Sequence, residues 1–141
     1  MDGVLNSREG WLRDKPKTWK YVTPECADQL RELLRLLPDV KIVISSTWRT
    51  MMTITDLKKM FNKLNLPGDR IIGKTVAHLS SYQRGHEIQE YLDNHPKIER
   101  FIIIDDDADM EHLMPHLIQT DSDKGFTNGN MLEAVKKLSG K

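Results

Sequence analysis

Val40-Lys41-Ile42-Val43-Ile44-Ser45-Ser46 and Phe101-Ile102-Ile103-Ile104-Asp105-Asp106-Asp107 are built alike: a short aliphatic run that breaks abruptly into polar residues. A continuous β-branched run without alternation predicts a strand buried on both faces, which requires a sheet covered by helices above and below. The intervening sequence supplies those helices. Over 23–37, Thr23 can cap and Pro24 fits the first helical position, while Ala27, Leu30, Leu33, Leu34 and Leu37 make one apolar face that Pro38 ends. Thr53 can cap a second helix bearing Leu57, Met60, Phe61 and Leu64, closed by Pro67-Gly68. Arg70–Gly73 predicts a short strand, 85–94 a helix, Leu117–Thr120 a weaker edge-like strand, and Met131, Leu132, Val135 and Leu138 a last amphipathic helix. This alternation of strand and helix predicts an α/β, Rossmann-like three-layer sandwich with a mostly parallel sheet. In such sheets ligands bind beyond the carboxyl ends of the strands, so the residues just after each aliphatic run are the ones to read for chemistry.

Composition narrows the function classes. The 141 residues carry 21 Lys+Arg and 21 Asp+Glu, a formal net charge of zero, so attraction to nucleic acid or an anionic membrane must be local. No aliphatic run approaches the roughly 20 residues of a membrane helix, and no apolar stretch follows Met1, so the expectation is an intracellular, cytoplasmic protein with no membrane partner. Cys26 is the single cysteine, which excludes an internal disulfide and a multi-cysteine metal site. The length fits one domain.

At the first strand end, Ser45, Ser46 and Thr47 bring hydroxyls next to backbone N–H groups, followed by Trp48 and Arg49. That composition suits a phosphate oxyanion, and it equally suits loop or helix capping. At the second, Asp105, Asp106 and Asp107, with Asp109 nearby, repel one another unless a cation is present. Oxygen-only donors favour Mg²⁺ over zinc, and the plain alternative is a solvated acidic turn. An EF-hand is excluded, because the position that needs Gly is Met110 and the one that needs Glu is His116. His112 and His116 have a spacing that can bind zinc on a helix, but Pro115 between them disfavours one, and His78, His86 and His95 show no paired ligand spacing. Cys26 falls near an apolar helix face and reads as packing.

Taken together with the Asp-Gly pair at Asp2-Gly3, these sites resemble the haloacid dehalogenase (HAD) superfamily of phosphatases and phosphotransferases. Met1-Asp2-Gly3-Val4-Leu5-Asn6 matches its Asp-x-Asp-Gly motif from the second position onward, Ile42-Val43-Ile44-Ser45-Ser46 its second motif, and Ile102-Ile103-Ile104-Asp105-Asp106 its fourth. Arg84, in Arg84-Gly85-His86-Glu87-Ile88, is the candidate for the basic third motif, with Lys74 as rival. Ser45-Ser46-Thr47-Trp48-Arg49, Arg84 to Ile88 and the stretch from Gln119 to Thr127 are similar to a small branch found near RNA-repair enzymes.

The resemblance implies a Mg²⁺-dependent phosphatase that works through an aspartyl-phosphate. It implies catalytic roles for Asp2 (acid/base), Ser45 and Arg84 (phosphate grip). It places Ser46, Thr47, Arg49 and Lys74 at the substrate, and Asp2, Asp105 and Asp106 at the metal; the motif leaves open which of Asp105 and Asp106 ligates directly. It implies a single domain over 1–141, because no segment has room for a sizeable cap. An uncapped site suits a bulky substrate, such as a nucleic-acid end or a protein, and the phosphorylated substrate expected is a nucleotide or a polynucleotide end. The family's nucleophile would precede Met1, and its first strand has no counterpart in the sequence. Either a longer chain supplies both, or the protein is a non-catalytic phosphate- or metal-binding relative; the retained site residues favour the first. Between Asp2 and the first predicted helix lies a flap with Trp11, Trp19, Lys15, Lys17 and Lys20. It can track a phosphodiester and stack on bases. The plainer expectation packs both indoles over the core edge, with the lysines in water.

Overall fold

Helix stripes and caps read from the sequence become real elements in the computed structural model, which describes residues 2–77 and 83–140. In chain order these are α1 (Arg8–Asp14), α2 (Pro24–Leu36), β1 (Ile42–Ile44), α3 (Ile54–Lys63), β2 (Ile71–Lys74), α4 (Arg84–Asp93), β3 (Ile103–Asp105), β4 (Leu117–Gln119) and α5 (Asn128–Ser139). Short 3₁₀ turns occupy Thr47–Thr50, Gly68–Arg70 and Glu111–His116. Among the described residues no helix is long and apolar enough to cross a membrane. The architecture is α/β. Its strands pair in two two-stranded sheets, β1 with β2 and β3 with β4, where a single larger sheet was expected.

The chain divides into two compact units: Met1–Pro38 with Ile102–Asp107 and Ile118–Lys141, and Asp39–Phe101 with Ala108–Leu117. In the first, α2 turns Cys26, Ala27, Leu30, Leu33 and Leu34 inward and packs against α5. Thr127 and Asn130 form a capping box that starts α5, and Gly140, at φ 74°, ends it. Thr23 precedes α2 but makes no side-chain cap; its hydroxyl instead accepts from Ser7 N at 2.9 Å. The flap contains a helix, α1, that the sequence did not announce. Ser7 caps it through Gly10 N at 3.0 Å, but Trp11 and Leu12 are adjacent and exposed, so no 3.6-residue stripe appears. Leu117 and Ile118 of β4 are buried, and among the described residues the strand pairs with β3 alone.

In the second unit β1 and β2 run parallel, pairing Ile42 with Ile71, Val43 with Gly73 and Ile44 with Lys74. The crossover is α3, opened by a capping box of Thr53 and Asp56 and buried through Leu57 and Phe61. Of β1 only Ile44 is fully buried; Ile42 and Val43 are half-exposed. Phe101 does not join β3 as expected, because its ring stacks on His116 with centroids 4.2 Å apart. Pro115 is accommodated in the 3₁₀ turn that carries His112 and His116, consistent with its exclusion from a regular helix.

Candidate active site

The N-terminal turn is fixed by backbone and hydroxyl contacts. Thr120 Oγ1 donates to Gly3 O at 2.6 Å, Phe126 N to Val4 O at 2.7 Å, and Thr23 N to Leu5 O at 2.8 Å. Asp2 is exposed, and its Oδ1 accepts from Asn6 Nδ2 at 2.8 Å, while Gly3 N donates to Asn6 Oδ1 at 3.1 Å. Asn6 thus holds both the Asp2 carboxylate and the turn behind it. Gly3 sits at φ 74°, and a Cβ there would lie 2.2 Å from an Asp106 carboxylate oxygen. Only glycine lets Asp106 come this close. Asp105 leaves β3 with its carbonyl accepting from Thr120 N at 2.9 Å and its Oδ1 from Asp107 N at 3.0 Å. The first unit therefore brings the Asp2-Gly3 turn and Asp106 together on one oxygen-rich surface.

The second unit gathers the hydroxyl and basic candidates. Ser46 Oγ caps the turn after β1 by accepting from Trp48 N at 3.3 Å. The Arg84 guanidinium donates to the Ser45 carbonyl. Lys74 Nζ donates to Arg49 O at 3.0 Å, so both rivals for the basic role reach the same turn. Thr47 is exposed, and its carbonyl accepts from Thr50 Oγ1 at 2.7 Å.

Arg49, expected at the substrate, is 6% exposed and turned inward. It donates to Ser45 O at 2.5 Å, Ser46 O at 2.7 Å and Glu87 Oε1 at 2.7 Å. This corrects its placement: Arg49 braces the turn from inside. Burial pulls the guanidinium's pKa down; Glu87 opposes this and the charge of Arg84 adds to it. Asp109 accepts from Arg84 N at the start of α4 at 3.2 Å, and its other oxygen is buried with no partner among the described residues. Three cations (Arg49, Arg84, Lys74) thus meet two acids (Glu87, Asp109) around a turn bearing hydroxyls, a surplus that suits an anion.

Sequence reasoning missed Asn6, Thr120 and Glu87. Asn6 and Thr120 act through contacts that only folding creates. Glu87 sits three residues after Arg84 on α4, a helical neighbour, but nothing local marks Arg49 as its partner. Trp48 is 1% exposed and belongs to the core. Cys26 is buried, and that burial pushes its thiol pKa up, which fits packing. His78 and Met1 lie outside the described residues. Trp11 and Trp19 are 39% and 41% exposed, so each keeps part of its indole in water.

Among the described residues no group of three or more His, Cys, Asp or Glu side chains is arranged to hold a metal ion. The donors present fit Mg²⁺ in kind, being oxygen only, with Asp106 wedged into the cradle that a Cβ at Gly3 would fill. Comparison with curated proteins and with solved structures gives no match. Residues 1–131 match the model of the family described as the HAD domain in Swiss Army Knife RNA repair proteins. That match spans the acidic turn, the Ser45 turn and the acids that follow β3, and the chain belongs to this family of HAD-type phosphohydrolase domains.

Proposed function

We propose that the protein is a Mg²⁺-dependent phosphoester hydrolase, acting on nucleotide or polynucleotide phosphates through an aspartyl-phosphate. The observation that carries this reading is the contact between Gly3 and the Asp106 carboxylate, because it joins the two acidic motifs in one unit. Asp2 is the general acid and base: it protonates the leaving oxygen, then takes a proton from water. Asn6 donates to one Asp2 oxygen at 2.8 Å and so orients the other. Asp2, Asp105 and Asp106 would hold Mg²⁺, which would supply neutralisation of charge at the phosphoryl group. Ser45 and Arg84 grip the phosphoryl oxygens, with Ser46, Thr47 and Lys74 beside them. Arg49 acts indirectly, as a positioning residue for the Ser45 turn. The attacking carboxylate belongs one position before Met1.

The test is turnover of an aryl phosphate in Mg²⁺ by a version of the chain extended before Met1 with an aliphatic strand ending in Asp. Turnover is expected, and Asp2→Asn should reduce kcat by a factor of about 100 or more. The 141-residue chain alone is expected to hydrolyse nothing above buffer. If the 141-residue chain turns over robustly and loses this with Asp2→Asn, the upstream nucleophile is wrong. If the extended chain binds phosphate but never turns it over, the protein is a non-catalytic binding module.

A further inference from the structure

We propose that residues 8–21 form a docking surface for single-stranded nucleic acid, beside the turn that holds the Asp2 carboxylate. The inference rests on the phosphohydrolase reading only in making a polynucleotide end, rather than a free mononucleotide, the substrate. The chain as a whole is neutral, yet this segment holds five cations (Arg8, Arg13, Lys15, Lys17, Lys20) against two acids (Glu9, Asp14). Arg13 is engaged by Asp14 at 2.8 Å and Glu25 at 2.5 Å. Among the described residues, Lys15, Lys17 and Lys20 are in no ion pair.

Two exposed indoles lie among the cations. Trp11 and Trp19 keep 39% and 41% of their surface in water, which leaves indole surface available to a partner. The rings are held in place. Trp11 stands edge-on to Tyr21 with centroids 5.7 Å apart, and Lys20 Nζ lies 5.6 Å from the Trp19 ring. The Tyr21 hydroxyl donates to Asp14 Oδ2 at 2.5 Å. First Arg13 and then this hydroxyl hold the Asp14 carboxyl down at about 2, so this brace stays charged through the neutral range.

The surface is tied to the acidic turn. The Asn6 amide that donates to Asp2 at 2.8 Å also reaches Tyr21 O at 3.5 Å. A strand whose terminal phosphate lies near Asp2 therefore finds lysines spaced two or three residues apart for its phosphodiesters and indoles for its bases. Unpaired bases expose the π-faces that indoles need, which selects a single strand over a duplex.

The experiment uses a fluorescein-labelled octamer of uridine lacking a terminal phosphate, bound to the 141-residue chain and followed by anisotropy at several salt concentrations. Lys15→Ala/Lys17→Ala/Lys20→Ala should weaken binding about tenfold and flatten the slope of log Kd against log salt by about 2. Trp19→Ala should weaken it about fivefold while Trp19→Phe retains it. Equal affinity of the triple variant and the unaltered chain overturns the proposal. So does equal binding of an octamer duplex, of polyglutamate or of phosphatidylserine vesicles. The probe carries no reacting phosphate, so its binding is independent of turnover. Octamer binding by the 141-residue chain with no turnover of aryl phosphate by the chain extended before Met1 overturns the catalytic reading alone, and turnover by the extended chain with no octamer binding by the unaltered chain overturns this proposal alone.

Discussion

A buried guanidinium beside a buried carboxylate makes Glu87 the residue whose loss should be felt most. The Arg49 and Glu87 side chains are only 5% and 7% exposed and lie 2.7 Å apart. Removing one partner strands the other charge, at a cost of about 3–5 kcal/mol. Glu87→Ala should lower stability to urea by about that much, whereas Arg49→Met/Glu87→Leu, which removes both charges, should recover most of it. The double variant should nonetheless bind inorganic phosphate more weakly than the unaltered chain, because the Ser46 carbonyl then loses its guanidinium and the Ser45 carbonyl keeps only that of Arg84. A Glu87→Ala chain as stable as the parent would show that the pair carries no such weight. None of this is written in the local sequence. Arg49 follows a run of hydroxyls and a tryptophan, which reads as a solvent-facing loop, and only the partner 38 positions away turns it inward.

Elements show the same division between what is local and what is not. The helices α2, α3 and α5 are legible because a stripe at 3.6-residue spacing, joined in α3 by the Thr53 cap, is a feature of one short stretch. The strand ends at Ser45 and Asp105 are legible because an aliphatic run stops there. The helix α1 is not, since its stability comes from the Ser7 cap and from packing on Thr23, across the flap. How closely elements approach is equally hidden. A Cβ on Gly85 would lie 2.5 Å from the Met110 carbonyl oxygen, so the first turn of α4 rests directly on that backbone. Gly85→Ala should therefore destabilise by about 2 kcal/mol despite its better helix propensity, as the helix must lift away. Gly129, in the first turn of α5, has its nearest neighbour at 3.8 Å, and Gly129→Ala should stabilise by about 0.5 kcal/mol. Thermal unfolding of the two variants gives shifts of opposite sign; equal shifts would mean that α4 does not make this contact.

For the molecule as a whole, the outstanding feature is its sheets. Among the described residues β1 pairs only with β2 and β3 only with β4, so each of β1 and β3 keeps one edge without a strand. Unpaired edges in an α/β protein leave backbone donors and acceptors to water and invite pairing with another chain. Ile42 and Val43 on β1 and Ile104 on β3 are only half-buried, an unusual exposure for aliphatic runs of this kind. An aliphatic strand ending in Asp, joined before Met1, offers the β3 edge of its own unit a partner and brings the carboxylate the chemistry requires. Burying two of its aliphatic side chains contributes about 3 kcal/mol, which corresponds to a rise in Tm of about 10 °C at this chain length. A control extension of equal length, with serines in place of the aliphatics and the same final Asp, should leave Tm unchanged. The comparison separates strand pairing from mere lengthening. If both extensions give the Tm of the 141-residue chain, the β3 edge is not the place where a strand docks. If the serine extension turns over aryl phosphate as fast as the aliphatic one, the carboxylate alone suffices and the strand contributes nothing to placing it.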